Sequence, residues 1–348
     1  MLFLEGFVRH LISIIILCLL ILVPIAAQSE TQSMWAFGGV RLALNSDPDS
    51  YLGNPAFLAE VDRKPRAFVV AAGYEGSPKF WEFDEPAVSL GLSFTAGRLA
   101  FTISNTSFIE QQGVETYSGV RTNLFQFDWA IGRKTSFLGF RAQVEAAAER
   151  RDMSFRPNLI WSDYLFESNF GRYEPIDQGG LISFGVYYLL DYSWIKMAVV
   201  STHFASSASD EALNISFDSL LNSLGWGLSV ETPTYTERNE LRLVKARFGL
   251  DFANLGSTTE REFRFGASVT LQLLPTYDIS LIVGYREAKN DATDWLGFDV
   301  EAGYQTQALA LKFNTLKIVI GYGFPTAYYT KGVTSLKAKT LIGLRLFL

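Results

Sequence analysis

The chain has 348 residues, 48% of them hydrophobic and 14% aromatic, with Gly 28. Lys+Arg number 30 and Asp+Glu 36, a net charge of -6 that indicates no basic face for nucleic acid. Such a length holds either two soluble domains or one large barrel, and only the patterning separates the two.

In chain order, residues 1–27 read as a secretory signal peptide. Arg9 and His10 precede an apolar core from Leu11 to Val23, and Pro24-Ile25-Ala26-Ala27 leads into the polar run Gln28-Ser29-Glu30-Thr31, which places cleavage near Ala27. The sole cysteine, Cys18, falls inside this stretch, so a processed chain has no thiol for disulfide or metal chemistry. It follows Ile-Ile-Leu rather than the small residues of a lipoprotein signal.

Residues 28–65 alternate poorly and contain DPDSYLGNPAFLAEVDR, whose Asp, Asn and Pro followed by Ala56-Phe57-Leu58-Ala59 suggest compact turns and a short helix. A segment of this length ahead of a barrel can be a tail or a plug folded into the lumen.

From residue 66 the apolar residues recur at every second position. In EFRFGASVTLQL, residues 262–273, Phe263, Phe265, Ala267, Val269, Leu271 and Leu273 share one face, and Glu262, Arg264, Gly266, Ser268, Thr270 and Gln272 the other. Leu138, Phe140, Ala142 and Val144 likewise oppose Gly139, Arg141, Gln143 and Glu145. Such runs reach about ten residues, the length a tilted strand needs to cross a bilayer.

The polar face combines Gly with charges of both signs, and Trp194, Tyr277, Tyr285, Trp295, Tyr304 and Tyr322 gather at strand ends, as expected of a lipid-facing exterior with aromatic girdles around a polar lumen. Fourteen strands are predicted at 66–74, 87–94, 98–104, 122–132, 137–149, 181–189, 194–204, 223–231, 241–252, 262–273, 277–286, 295–305, 313–324 and 336–348. The expected class is all-β, a transmembrane antiparallel barrel over 66–348. Its expected place is the outer membrane after Sec-type export, with outer-membrane lipid and the barrel-assembly machinery as partners.

Links at 95–97, 134–136, 190–193 and 274–276 are short, and those at 105–121, 150–180, 205–222 and 325–335 are long, which sorts them into inner turns and external loops.

Asn54-Pro55-Ala56 with Leu58-Ala59, shortly after Asp47-Pro48-Asp49, resembles the N-terminal signature of FadL-like long-chain fatty-acid transporters and of related PorV-type barrels. The chain also looks similar to FadL-like barrels of spirochaetes. A departure is the terminal Leu348, where many outer-membrane strands end in an aromatic and Phe347 stands one position early. The resemblance implies a fourteen-stranded barrel with an N-terminal hatch at Asn54, Pro55, Ala56 and Phe57. It also implies an entrance groove on the third and fourth external loops, and passive uptake of a hydrophobic small-molecule ligand such as a long-chain fatty acid.

The third loop carries Phe155, Leu159, Ile160, Trp161, Leu165, Phe166 and Phe170, and the fourth Leu213, Phe217 and Leu220, a load that reads either as a binding groove or as a lid packed on itself. Inward Arg141, Arg247 and Arg264 are candidates for a ligand carboxylate, with pairing to acids such as Glu145, Asp251, Asp299 and Glu301 as the structural alternative. His203 near Ser201 lacks a nucleophile motif, and no metal-ligand spacing or phosphate-cradling loop is present, so neither an enzyme nor a cofactor is expected. A general diffusion porin and a PorV-like or adhesive scaffold that binds envelope proteins are the rival readings.

Overall fold

The computed structural model of the chain describes residues 37, 39–44, 50–60, 66–76, 87–111, 116–154, 174–175, 181–207, 214–215, 217–232, 243–257, 261–274, 277–289, 302–325 and 338–348. Alternating side chains and the need to pair every backbone amide give these residues one architecture, an antiparallel sheet closed on itself. Its strands are β1 (Arg66–Gly76), β2 (Ala87–Ala96), β3 (Leu99–Gln111), β4 (Thr116–Arg133), β5 (Ser136–Ser154), β6 (Leu181–Asp191) and β7 (Ile195–Ser207). They continue with β8 (Leu224–Glu231), β9 (Leu243–Ala253), β10 (Arg261–Leu274), β11 (Tyr277–Lys289), β12 (Ala302–Phe313), β13 (Leu316–Pro325) and β14 (Lys339–Phe347).

Each strand pairs with its sequence neighbours, and β14 pairs back onto β1 from Val69↔Phe347 to Gly76↔Thr340, so the wall has no edge. Among the described residues no helix is long and apolar enough to cross a membrane; the strands cross instead.

The two faces differ as the period requires. On β4, Phe125, Phe127, Trp129 and Ile131 are exposed on the outside while Leu124, Gln126, Asp128 and Ala130 are buried inside. On β10, Arg264 and Ser268 are buried whereas Val269 and Leu271 are exposed. Aromatics mark the end where the short turns lie, with Tyr192 and Trp194 exposed and Tyr277 against Phe313 at 4.6 Å between ring centroids. Both termini of the barrel lie at that end, the inner end. The tight turns there place Gly97 at φ 59, Lys134 at φ 58 and Asn314 at φ 50, the left-handed region that Gly and Asn enter most easily.

Two expectations are corrected. Residues 105–111 and 116–121 are wall rather than part of a long external loop, since β3 runs to Gln111 and β4 begins at Thr116. The polar residues there break the apolar alternation but pair across the sheet, Asn105 donating to Asn123 Oδ1 at 3.0 Å. The strand expected at 295–305 is β12, Ala302–Phe313, and residues 295–301 lie outside the described residues. Ala308 and Ala310 inward against Gln305 and Gln307 outward give too little contrast to show the period, and the Asn314-Thr315 turn carries the true boundary.

The core sits inside the ring. Leu42, Ala43, Tyr51, Leu52 and Ala56 to Ala59 pack with Ala100, Ala130, Phe137, Tyr187, Leu189, Ala198 and Val200 of β3 to β7. Phe37, Val40 and Leu44 pack with Ile282, Ala308, Ala310, Val319 and Leu341 of β11 to β14, across the ring. Residues 37–60 thus touch opposite walls.

Gly139 makes room for this, because a Cβ there would meet the backbone of Pro55 and Ala56. Gly266 does the same for Phe37.

Two outcomes follow for variants. Leu281 is 62% exposed on the lipid face. Leu281→Arg is expected to cost about 2–4 kcal/mol in equilibrium unfolding from lipid vesicles, and an unchanged midpoint would contradict an outward Leu281. Gly139→Val is expected to unseat residues 37–60 while the wall persists. Limited proteolysis should then cut within that segment severalfold faster, and equal cleavage would show that the segment is not seated on Gly139.

Candidate functional site

Among the described residues of this stretch, 37, 39–44 and 50–60, the regular structure is the 3-10 turns Ser50–Leu52 and Pro55–Ala59, so backbone groups outside those turns need other partners. Asn54 begins the second turn. Its Oδ1 accepts from Ala56 N at 2.9 Å, an N-cap, and its Nδ2 donates to Leu42 O at 2.6 Å, tying the two halves of the segment together.

The wall supplies the rest. Asp251 Oδ2 accepts from Arg41 N at 2.6 Å and Leu42 N at 2.9 Å. Ser229 Oγ donates to Ala43 O at 2.7 Å, and Arg141 Nη2 donates to Tyr51 O at 2.7 Å. The Tyr51 hydroxyl meets Ser93 Oγ, which in turn lies 2.9 Å from Thr102 Oγ1.

The three arginine candidates part company. Arg141 is buried and donates from Nε to Asp128 Oδ1 at 2.8 Å, and Gln126 Nε2 holds the other Asp128 oxygen at 2.6 Å. Its acid is therefore Asp128 rather than Glu145. Arg264 is buried against Glu262, which also binds Arg286 at 3.1 Å. Arg247 stands apart, 3.7 Å from Glu231, which also pairs with Lys245.

Asp251 serves backbone amides of the segment, with Arg264 reaching Gly39 O at 3.5 Å beside it. Asp299 and Glu301 lie outside the described residues.

Arg141 and Arg264 meet in one cavity of about 320 Å³ inside the ring. Arg41, Leu42 and Gly53 of the segment line it together with Arg286, Glu262, Tyr187, Thr202 and His203 of the wall. Among the described residues four arginines and one carboxylate, Glu262, line it, with Arg141 paired to Asp128 and both Arg264 and Arg286 to Glu262. His203 thus faces this space, while the Ser201 hydroxyl is engaged with Ser223 Oγ at 2.7 Å.

At the inner end, Lys196 Nζ binds Glu60 Oε1 at 2.7 Å and Asp191 Oδ2 at 2.5 Å and lies 5.7 Å from the Phe57 ring centroid. Burial pushes the Glu60 carboxyl above its ordinary range, with Lys196 opposing that shift. The sequence reading missed this cluster.

Of the groove residues, Phe217 and Leu220 are described: they lie on the short helix α1 (Phe217–Asn222), which packs on β7, and are 73% and 37% exposed. Phe155, Leu159, Ile160, Trp161, Leu165, Phe166, Phe170 and Leu213 lie outside the described residues. Asn54, Pro55, Ala56 and Phe57 are fully or nearly fully buried within the ring.

No protein-family model and no curated protein matches the chain. Among solved structures it is similar to CymD, described as a monoaromatic hydrocarbon channel, with TM-score 0.52 and 12% identity over 91% of this chain and 96% of that one. It is also similar to a Pseudomonas aeruginosa FadL homologue, with TM-score 0.51 and 9% identity over 94% and 98%. CdiB from Acinetobacter baumannii matches at TM-score 0.43 and 7% identity, where 82% of this chain spans 60% of that one. At these identities the likeness to CymD and the FadL homologue is one of fold. The chain is accordingly a fourteen-stranded transmembrane barrel of the FadL-like fold.

Proposed function

We propose that this barrel is an outer-membrane channel that admits hydrophobic small molecules by binding them, and that its cargo is a long-chain fatty acid. The observation that carries the reading is the occupied lumen: described residues between 37 and 60 pack against opposite walls and so obstruct the path of a freely diffusing solute. A general diffusion porin needs an open aqueous lumen. The neighbours of like fold, one described as a hydrocarbon channel and one as a FadL homologue, support the same reading.

Capture begins at the exposed Phe217 and Leu220, with Phe155 to Phe170 and Leu213 as the rest of the groove. There an alkyl chain gains about 0.8 kcal/mol per buried methylene without any directed contact. The cavity inside suits the other end of the molecule. Its four arginines favour a carboxylate through charge-assisted hydrogen bonds, whereas a neutral hydrocarbon gains nothing from them. The Asn54 to Phe57 turn then acts as the hatch on the inward side.

Titration of the purified protein in detergent with fluorescent fatty acid tests this. Saturable binding is expected, weakened severalfold in a Phe217→Asp, Leu220→Asp double variant. Absence of saturable binding to fatty acids overturns the cargo; unaltered binding in the double variant overturns the groove.

A further inference from the structure

Pro55–Glu60 is held differently from residues 39–43 and Tyr51, although Ala43 reaches the level of Lys196 through Ser229, the cross-strand neighbour of that lysine. Residues 39–43 and Tyr51 are gripped by their backbone, through Asp251, Ser229, Arg264 and Arg141. Pro55–Ala59 offers the wall mainly apolar side chains, and the turn lies against the inner-end residues Gly139, Phe137, Ala130 and Leu189, below the cavity that Gly53 and Arg41 line. The residue that ends it, Glu60, makes a side-chain ion pair to Lys196 at 2.7 Å.

Lys196 is the second residue of β7 and points inward with Ala198 and Val200. Asp191, its cross-strand partner, aims it from the wall itself. Lys196 is 8% exposed, and its ammonium lies over the Phe57 ring as well.

This arrangement is separable. If Glu60 leaves, Asp191 still neutralises Lys196, so the wall keeps no unpaired charge. The other anchors differ in that Asp251 would lose both amide donors if residues 41 and 42 departed.

We propose that Lys196 is the positioning residue that holds the inner end of the lumen shut, and that parting of Glu60 from it lets Pro55–Glu60 swing aside while residues 39–44 stay in place. The cavity then opens toward the inner end of the barrel. The proposal rests on the channel reading above but not on the identity of the cargo.

Liposomes containing the full chain, assayed for entry of a small neutral sugar, provide the test. Glu60→Gln lies outside the wall and leaves barrel assembly intact, which heat-modifiable migration verifies. Both it and Lys196→Gln are expected to raise sugar permeability severalfold over wild type. The exchanged pair Glu60→Lys with Lys196→Glu is expected to bring it back toward wild type. Permeability equal to wild type in both single variants overturns the proposal, as does leakage that the exchange does not reverse. Because the probe is hydrophilic, a chain that binds no fatty acid yet leaks as Glu60→Gln would sink the cargo and keep the latch.

Discussion

A backbone amide in hydrocarbon has no water to bond, so the whole architecture depends on every wall strand finding a partner on both sides. Pairing of β14 with β1 removes the last free edge, and closure forces each strand to show one face to lipid and one to the lumen. From that follow the greasy exterior of Phe125, Phe127 and Trp129 and the buried Gln126 and Asp128 that alternate with them.

The same constraint shapes the interior. A ring of this size encloses buried polar side chains, and residues 37–60 bring backbone groups that their short turns do not satisfy. Each solves the other's problem: Asp251 accepts two amides of the segment, and Arg141, already paired to Asp128, donates to Tyr51 O. Glycines at 139 and 266 let the segment approach the wall. What fills the lumen also bounds a cavity lined by Arg41, Arg141, Arg264 and Arg286.

Much of the wall was legible because its period is local. The strand order needed only alternation and turn residues, and it held from β1 to β14, failing where side chains are small or amide-bearing, as along Ala308, Ala310, Gln305 and Gln307. Pairing inside the lumen was less legible, since it depends on register. Counting outward from the Lys134-Thr135 turn places Asp128 opposite Arg141, so that partner was within reach of the sequence, and the same count puts Glu145 opposite Leu124. The contacts of Asp251 with Arg41 and of Lys196 with Glu60 span 210 and 136 positions and have no local signal at all.

The account stands on which way alternate side chains look. Since the sole cysteine is Cys18, ahead of every strand, single cysteines at successive positions from 263 to 271 can be introduced cleanly and labelled in vesicles. Labels at 263, 265, 267, 269 and 271 should be quenched by lipid-borne quenchers and resist aqueous ones, and labels at 264, 266, 268 and 270 should escape the lipid-borne quenchers. Uniform quenching along the run, or a periodicity near 3.6 residues, would contradict it.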